Sequence, residues 1–187
     1  MDHQTVVLDH MNPTLFLNYD GTLHRGCALL GPKGEIALDT GRALFEFAPM
    51  LARMLKPYPL VDIVLTTTWL GKLPVKEVIA YLPDELARRV VDTTCDTKAR
   101  WRYLQNHARA EIIMRYAFGN RLRKWLALDD SAYGAWALGW QPGDFSEHFL
   151  LVDAARGLGD KFAQKRIQEW LIDVHRQSNS WAGVRHA

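Results

Sequence analysis

Residues 14–22 read Thr14-Leu15-Phe16-Leu17-Asn18-Tyr19-Asp20-Gly21-Thr22, an apolar run that stops at a polar residue, a spacer, an acid and a glycine. Few structures accept that order. Three successive apolar residues need cover on both faces, as an interior strand of a parallel sheet has. Such strands present their next side chains at the carboxyl edge of the sheet, where α/β proteins place ligands. The run therefore predicts a buried strand that delivers Asn18 and Asp20 to one edge, with Gly21 opening a turn. A turn role for Asn18 is the plain alternative, since Asn is common at strand ends.

Further strand-like runs occur at Val61–Leu65, Val90–Val91, Trp125–Leu128 and Phe149–Val152. Helical periodicity separates them. Leu44, Phe47, Leu51, Met54 and Leu55 share a face of a helix from about Gly41 to Leu55, and Ile167, Trp170, Leu171 and Val174 do so from about Asp160 to His175. A further helix over Arg109–Tyr116 has its stop at Gly119-Asn120. Strands alternating with helices predict an α/β fold around a parallel sheet flanked by helices. The chain has 187 residues, 48% apolar and 24% charged, as expected for one soluble domain with a full core. We take it as a single unit over 1–187, with a core over about 14–176.

A net charge of +2 is too mild to indicate nucleic acid or a membrane. No segment approaches the ~18 apolar residues of a membrane span. Cys27 and Cys95 have no metal-ligand spacing, and residues 1–4 do not resemble a secretory signal. A cytoplasmic place is expected.

Two other strand ends carry chemistry. Val61–Leu65 leads into Thr66-Thr67-Thr68-Trp69, which offers hydroxyls directly after a buried strand. Trp125–Leu128 leads into Asp129-Asp130. Adjacent acids at such an edge repel unless a cation neutralises them, an exposed turn being the alternative.

Taken in order, these motifs resemble the haloacid-dehalogenase (HAD) phosphohydrolase superfamily. Its first motif reads apolar run, Asp, any residue, Asp, Gly, Thr or Val. The Thr-Thr-Thr-Trp stretch is similar to a capless subgroup associated with RNA-repair proteins, although Leu70 stands where that subgroup has Arg. The resemblance runs from about Thr14 to Leu171. It implies a Rossmann-like HAD fold without a large cap domain, because too few residues separate Asp20 from Thr66, and a flap over about 21–35 beginning before the turn at Gly31-Pro32. It also implies a phosphomonoester substrate and Mg²⁺. In that scheme residue 18 is the nucleophile and Asp20 the general acid/base. Thr66, with Thr67 beside it, and a cation hold the phosphoryl group. Asp129 and Asp130 hold Mg²⁺, with the backbone oxygen of Asp20. Arg109 is placed to supply the cation, and Lys98 competes with it. The implied partner is a phosphorylated small molecule or a nucleic-acid end; no membrane is implied, and the oligomeric state is open.

Here the nucleophile position holds Asn18. An amide oxygen is a poor nucleophile and a weaker metal ligand than a carboxylate. Three readings follow: a degenerate member that binds phosphorylated ligands, an Asp→Asn substitution introduced to trap substrate, or hydrolysis by water activated at Asp20. A non-enzymatic binding module on the same scaffold is the alternative function. A receiver-like domain, the third candidate, needs its acidic pair after the first strand, whereas the pair here follows Leu128.

Overall fold

A computed structural model describes residues 10–32, 35–95, 109–130 and 147–184, with side chains to Arg176. Five parallel strands form one sheet: β1 (Thr14–Leu17), β4 (Asp62–Leu65), β5 (Val90–Thr93), β6 (Trp125–Asp129) and β7 (Phe149–Leu151), in the order β5-β4-β1-β6-β7. They stand where the apolar runs place them. A separate antiparallel hairpin, β2 (Ala28–Leu30) with β3 (Ile36–Leu38), follows the first motif and extends beyond the Glu35 limit set for the flap.

Alternation along β1 divides the core. Leu15 and Leu17 pack with Ile63, Leu65, Leu126 and Leu128 beneath helices α1 (Ala48–Leu55) and α5 (Lys161–Val184). On the same side lie Val78 of α2 (Val75–Ala80) and Leu86 of α3 (Asp84–Ala87). Phe16 faces the other way, with Val64 and Ala127, against Ile113, Met114 and Tyr116 of α4 (Arg109–Gly119). Edge-to-face contacts of Phe16 with Tyr116 at 5.6 Å and Trp125 at 5.5 Å fix that layer. The period of two then carries Asn18 to the α4 face, because it lies two residues beyond Phe16. Register does the rest: Leu17 pairs with both Leu65 and Leu128, so Asn18, Thr66 and Asp129 end three adjacent strands on one row.

Two helices differ from the sequence reading. The first starts at Ala48 and not near Gly41, since Gly41 (φ 66°) and Phe45 (φ 56°) both take left-handed backbone that no α-helix contains. Pro49 sits in its first turn, where a missing N–H costs nothing. The last helix passes His175 and ends at Val184. Below the sheet, the Arg89 guanidinium donates to the carbonyls of Leu55, Tyr58 and Val61 at 2.9, 2.8 and 3.1 Å, satisfying the end of α1 and the loop that follows.

Candidate active site

The carboxyl edge gathers residues from four segments. Asn18 ends β1 and is wholly buried. Its Nδ2 donates to the Asp20 backbone oxygen at 2.7 Å and to Asp130 Oδ1 at 3.0 Å. Its Oδ1 accepts from Arg109 Nη1 at 3.1 Å. Arg109 opens α4 on the face to which Asn18 points. Its Nε lies 2.7 Å from Asp129 Oδ2, and its Nη2 lies 2.7 Å from Asp130 Oδ1. Burial pushes the Asp129 carboxyl up to about 7, against the opposing pull of the Arg109 charge. Lys98, the competing cation, lies outside the described residues.

The Asp20 side chain turns to a different set of partners. Oδ1 accepts from the Trp69 indole N–H at 3.0 Å and from the Ala28 amide at 3.0 Å, and it lies 3.1 Å from His24 Nε2. The Phe45 amide donates to His24 Nδ1, which leaves Nε2 as the ring nitrogen that carries the proton toward Asp20. Burial alone would raise the Asp20 carboxyl. The hydrogen bonds from His24, Trp69 and Ala28 outweigh it and hold the group below its ordinary range. Asp20 is therefore an ionised hydrogen-bond acceptor in this arrangement, a weak base with no proton of its own to give.

Gly21 has φ 65°, and a Cβ there would come within 2.8 Å of Asp130 Oδ2, so the turn and the close approach of the two motifs both demand glycine.

Of the threonines, Thr66 is buried on the row beside Asn18, with its hydroxyl 3.5 Å from that of Thr94. Thr67, also buried, accepts from the Trp69 amide and caps the short 3-10 turn Thr68–Gly71. Exposed Thr68 donates its hydroxyl to Asp20 Oδ2 at 3.4 Å. Thr68, His24 and Trp69 were not singled out as site residues from the sequence. The spacing of His24 four residues after Asp20 was the only local sign of it. Trp69 is brought in by an aromatic cluster in which Tyr19 meets Phe45 at 4.9 Å and Trp69 at 5.4 Å.

The oxygens expected to hold Mg²⁺ have these protein groups beside them. Mg²⁺ takes oxygen ligands. Here the Asp20 backbone oxygen and the inner oxygens of Asn18, Asp129 and Asp130 already face N–H groups of Asn18 or Arg109. Among the described residues, no three His, Cys, Asp or Glu side chains are grouped so as to hold a metal ion. No helix among them is long and apolar enough to cross a membrane.

Comparison with curated proteins finds no match. A family model described as the HAD domain in Swiss Army Knife RNA repair proteins matches residues 14–163, from the first strand into the last helix. That span contains the parallel sheet, the Asn18–Asp20 turn and the Asp129-Asp130 pair. The chain belongs to this family of HAD-type hydrolase domains.

Proposed function

We propose that this HAD-type domain recognises phosphomonoesters, with a nucleotide or a nucleic-acid end as the ligand class, and turns them over slowly or not at all. The observation that carries this reading is the Asn18 amide: it stands where attack on phosphorus requires a carboxylate, is fully buried, and has both ends engaged. An uncharged oxygen that already accepts from a guanidinium has little electron density to give an electrophile. Asp20, ionised and held by hydrogen-bond donors, cannot protonate a leaving group until it has first gained a proton.

Recognition needs less. Arg109 carries five N–H groups in a planar fork, a geometry matched to phosphate oxygens, and its side chain is 18% exposed. It opens α4, so the positive end of that helix lies at the same edge. The Thr68 hydroxyl adds an exposed donor beside Asp20. The family's RNA-repair context favours a nucleic-acid end over a free sugar phosphate.

The alternative is a binding module with no catalytic past in its present form. The network of Asn18, Arg109, Asp129 and Asp130 favours it, because the amide and the guanidinium engage both acids from within the chain. Equilibrium binding to short oligonucleotides with either a terminal phosphate or a terminal hydroxyl tests recognition. Tighter binding of the phosphorylated ends, lost in Arg109→Met, is expected. Equal binding of both ends would remove the phosphomonoester reading.

A further inference from the structure

We infer that the Asn18 amide and the Arg109 guanidinium together replace the divalent cation in this chain, so that the acidic edge holds itself without a metal. This rests on the HAD-type reading of the edge, but it concerns the donor set and not the ligand.

The orientation of the Asn18 amide is set by its neighbours. Nδ2 faces two oxygens, the Asp20 carbonyl at 2.7 Å and Asp130 Oδ1 at 3.0 Å, while Oδ1 faces a guanidinium N–H at 3.1 Å. Turned over, the amide would set oxygen against two acceptors and its NH₂ against a donor. The network itself therefore fixes the orientation. A metal coming to this edge would meet oxygens that already lie against N–H groups of Asn18 or Arg109.

Arg109 completes the replacement. Its Nε and Nη2 each lie 2.7 Å from one acid of the Asp129-Asp130 pair, and its Nη1 donates to Asn18. One positive charge thus touches both acids and residue 18, which are the groups that the family scheme gathers around its metal. A divalent ion between the two acids and residue 18 would compete with these three contacts for the same groups. Asp129 is wholly buried, so it would be left behind without the guanidinium during the exchange.

The identity of residue 18 decides between the two arrangements. A carboxylate there would have no N–H to offer. Its oxygen would lie against the Asp20 carbonyl and the Asp130 carboxylate, and acceptors at such distances need a cation between them. Asn at position 18 supplies those protons from within the chain. The single change from carboxylate to amide thus removes the nucleophile and the demand for metal together.

The experiment is thermal unfolding of the full chain and of Asn18→Asp, each in EDTA and in millimolar MgCl₂ at matched ionic strength, with a Mn²⁺ titration of the chain as given followed by electron paramagnetic resonance. The chain as given should show the same Tm with and without Mg²⁺ and no bound Mn²⁺ in the millimolar range. Asn18→Asp should melt lower in EDTA and rise with Mg²⁺, as expected when an ion binds the folded state alone. Its affinity for the ion should exceed that of the chain as given by at least about tenfold. Stoichiometric Mn²⁺ binding by the chain as given would overturn the inference, as would an Asn18→Asp variant whose Tm ignores Mg²⁺. If that variant does not fold, the Mn²⁺ titration alone decides. None of these results depends on phosphate-end recognition, so failure here and failure of the proposed function are distinguishable.

Discussion

Arg109 Nη1 donates to the Asn18 amide oxygen at 3.1 Å, joining the first residue of α4 to the position just past β1 across 91 residues of sequence. The contact exists because Phe16 and Asn18 lie on the same face of β1, and that face is covered by α4. The same guanidinium reaches Asp129 and Asp130, so three strand-end groups depend on one side chain.

That dependence is measurable. Arg109→Met removes the guanidinium beside wholly buried Asp129, whose carboxyl then takes up a proton, and should destabilise the fold by about 1–3 kcal/mol in urea unfolding near neutral pH. Adding Asp129→Asn should recover much of the loss, with a coupling energy of about 1–3 kcal/mol in the double-mutant cycle. Additive losses would mean that the pair does not act as a unit.

Asp20 gives a pH-dependent prediction. Its carboxyl lies below its ordinary value in the folded chain, so its ionised form contributes stability that is fully present above the unfolded value, near 3.8, and disappears as pH falls through the folded value. Asp20→Asn keeps the shape and removes the charge. It should cost about 1–2 kcal/mol at pH 7, the difference between charged and neutral hydrogen bonding. The two proteins should converge in stability once pH has fallen below the folded value of the Asp20 carboxyl. A constant difference across that range would assign the effect to packing.

Arg89 serves the scaffold alone. Its three short bonds to the carbonyls of Leu55, Tyr58 and Val61 require a planar fork that lysine lacks. Arg89→Lys should lower stability by about 1–3 kcal/mol, while binding of phosphorylated ends, measured below the unfolding transition, stays unchanged. Loss of binding without loss of stability would place Arg89 in the ligand site.

The parallel sheet was legible because its strands are covered on both faces, so Leu15–Leu17 and Trp125–Leu128 show as unbroken apolar runs in the sequence. Asn18, Asp20, Asp129 and Asp130 were legible as candidates for the same reason, since each follows such a run directly. The start of α1 was not. Leu44 and Phe47 keep a helical spacing with Leu51 and Leu55 although the backbone between them is left-handed at Phe45, and Pro49 was the only local sign of the true start. Periodicity records which side chains are buried, and a folded loop buries them as well as a helix does.

The partners of Asp20 were hidden for a different reason. His24 and Trp69 reach it only after Tyr19, Phe45 and Trp69 have packed edge to face, an arrangement set by contacts among segments far apart in sequence. Arg109 was legible as a position at the head of a helix, whereas its simultaneous grip on Asn18, Asp129 and Asp130 depends on strand register, which the sequence leaves open.

The central claim is that the amide at residue 18 withholds hydrolysis from this site. Its most direct test is the rate of phosphate release from a phosphorylated oligonucleotide end by the chain as given and by Asn18→Asp, at equal concentration and saturating MgCl₂. The account predicts that Asn18→Asp is faster by about 10³-fold or more, the scale on which removing a nucleophile slows a hydrolase, and that EDTA abolishes the gain. Equal rates in the two proteins, with the chain as given already turning over readily, would contradict it and assign the attack to a water activated at Asp20.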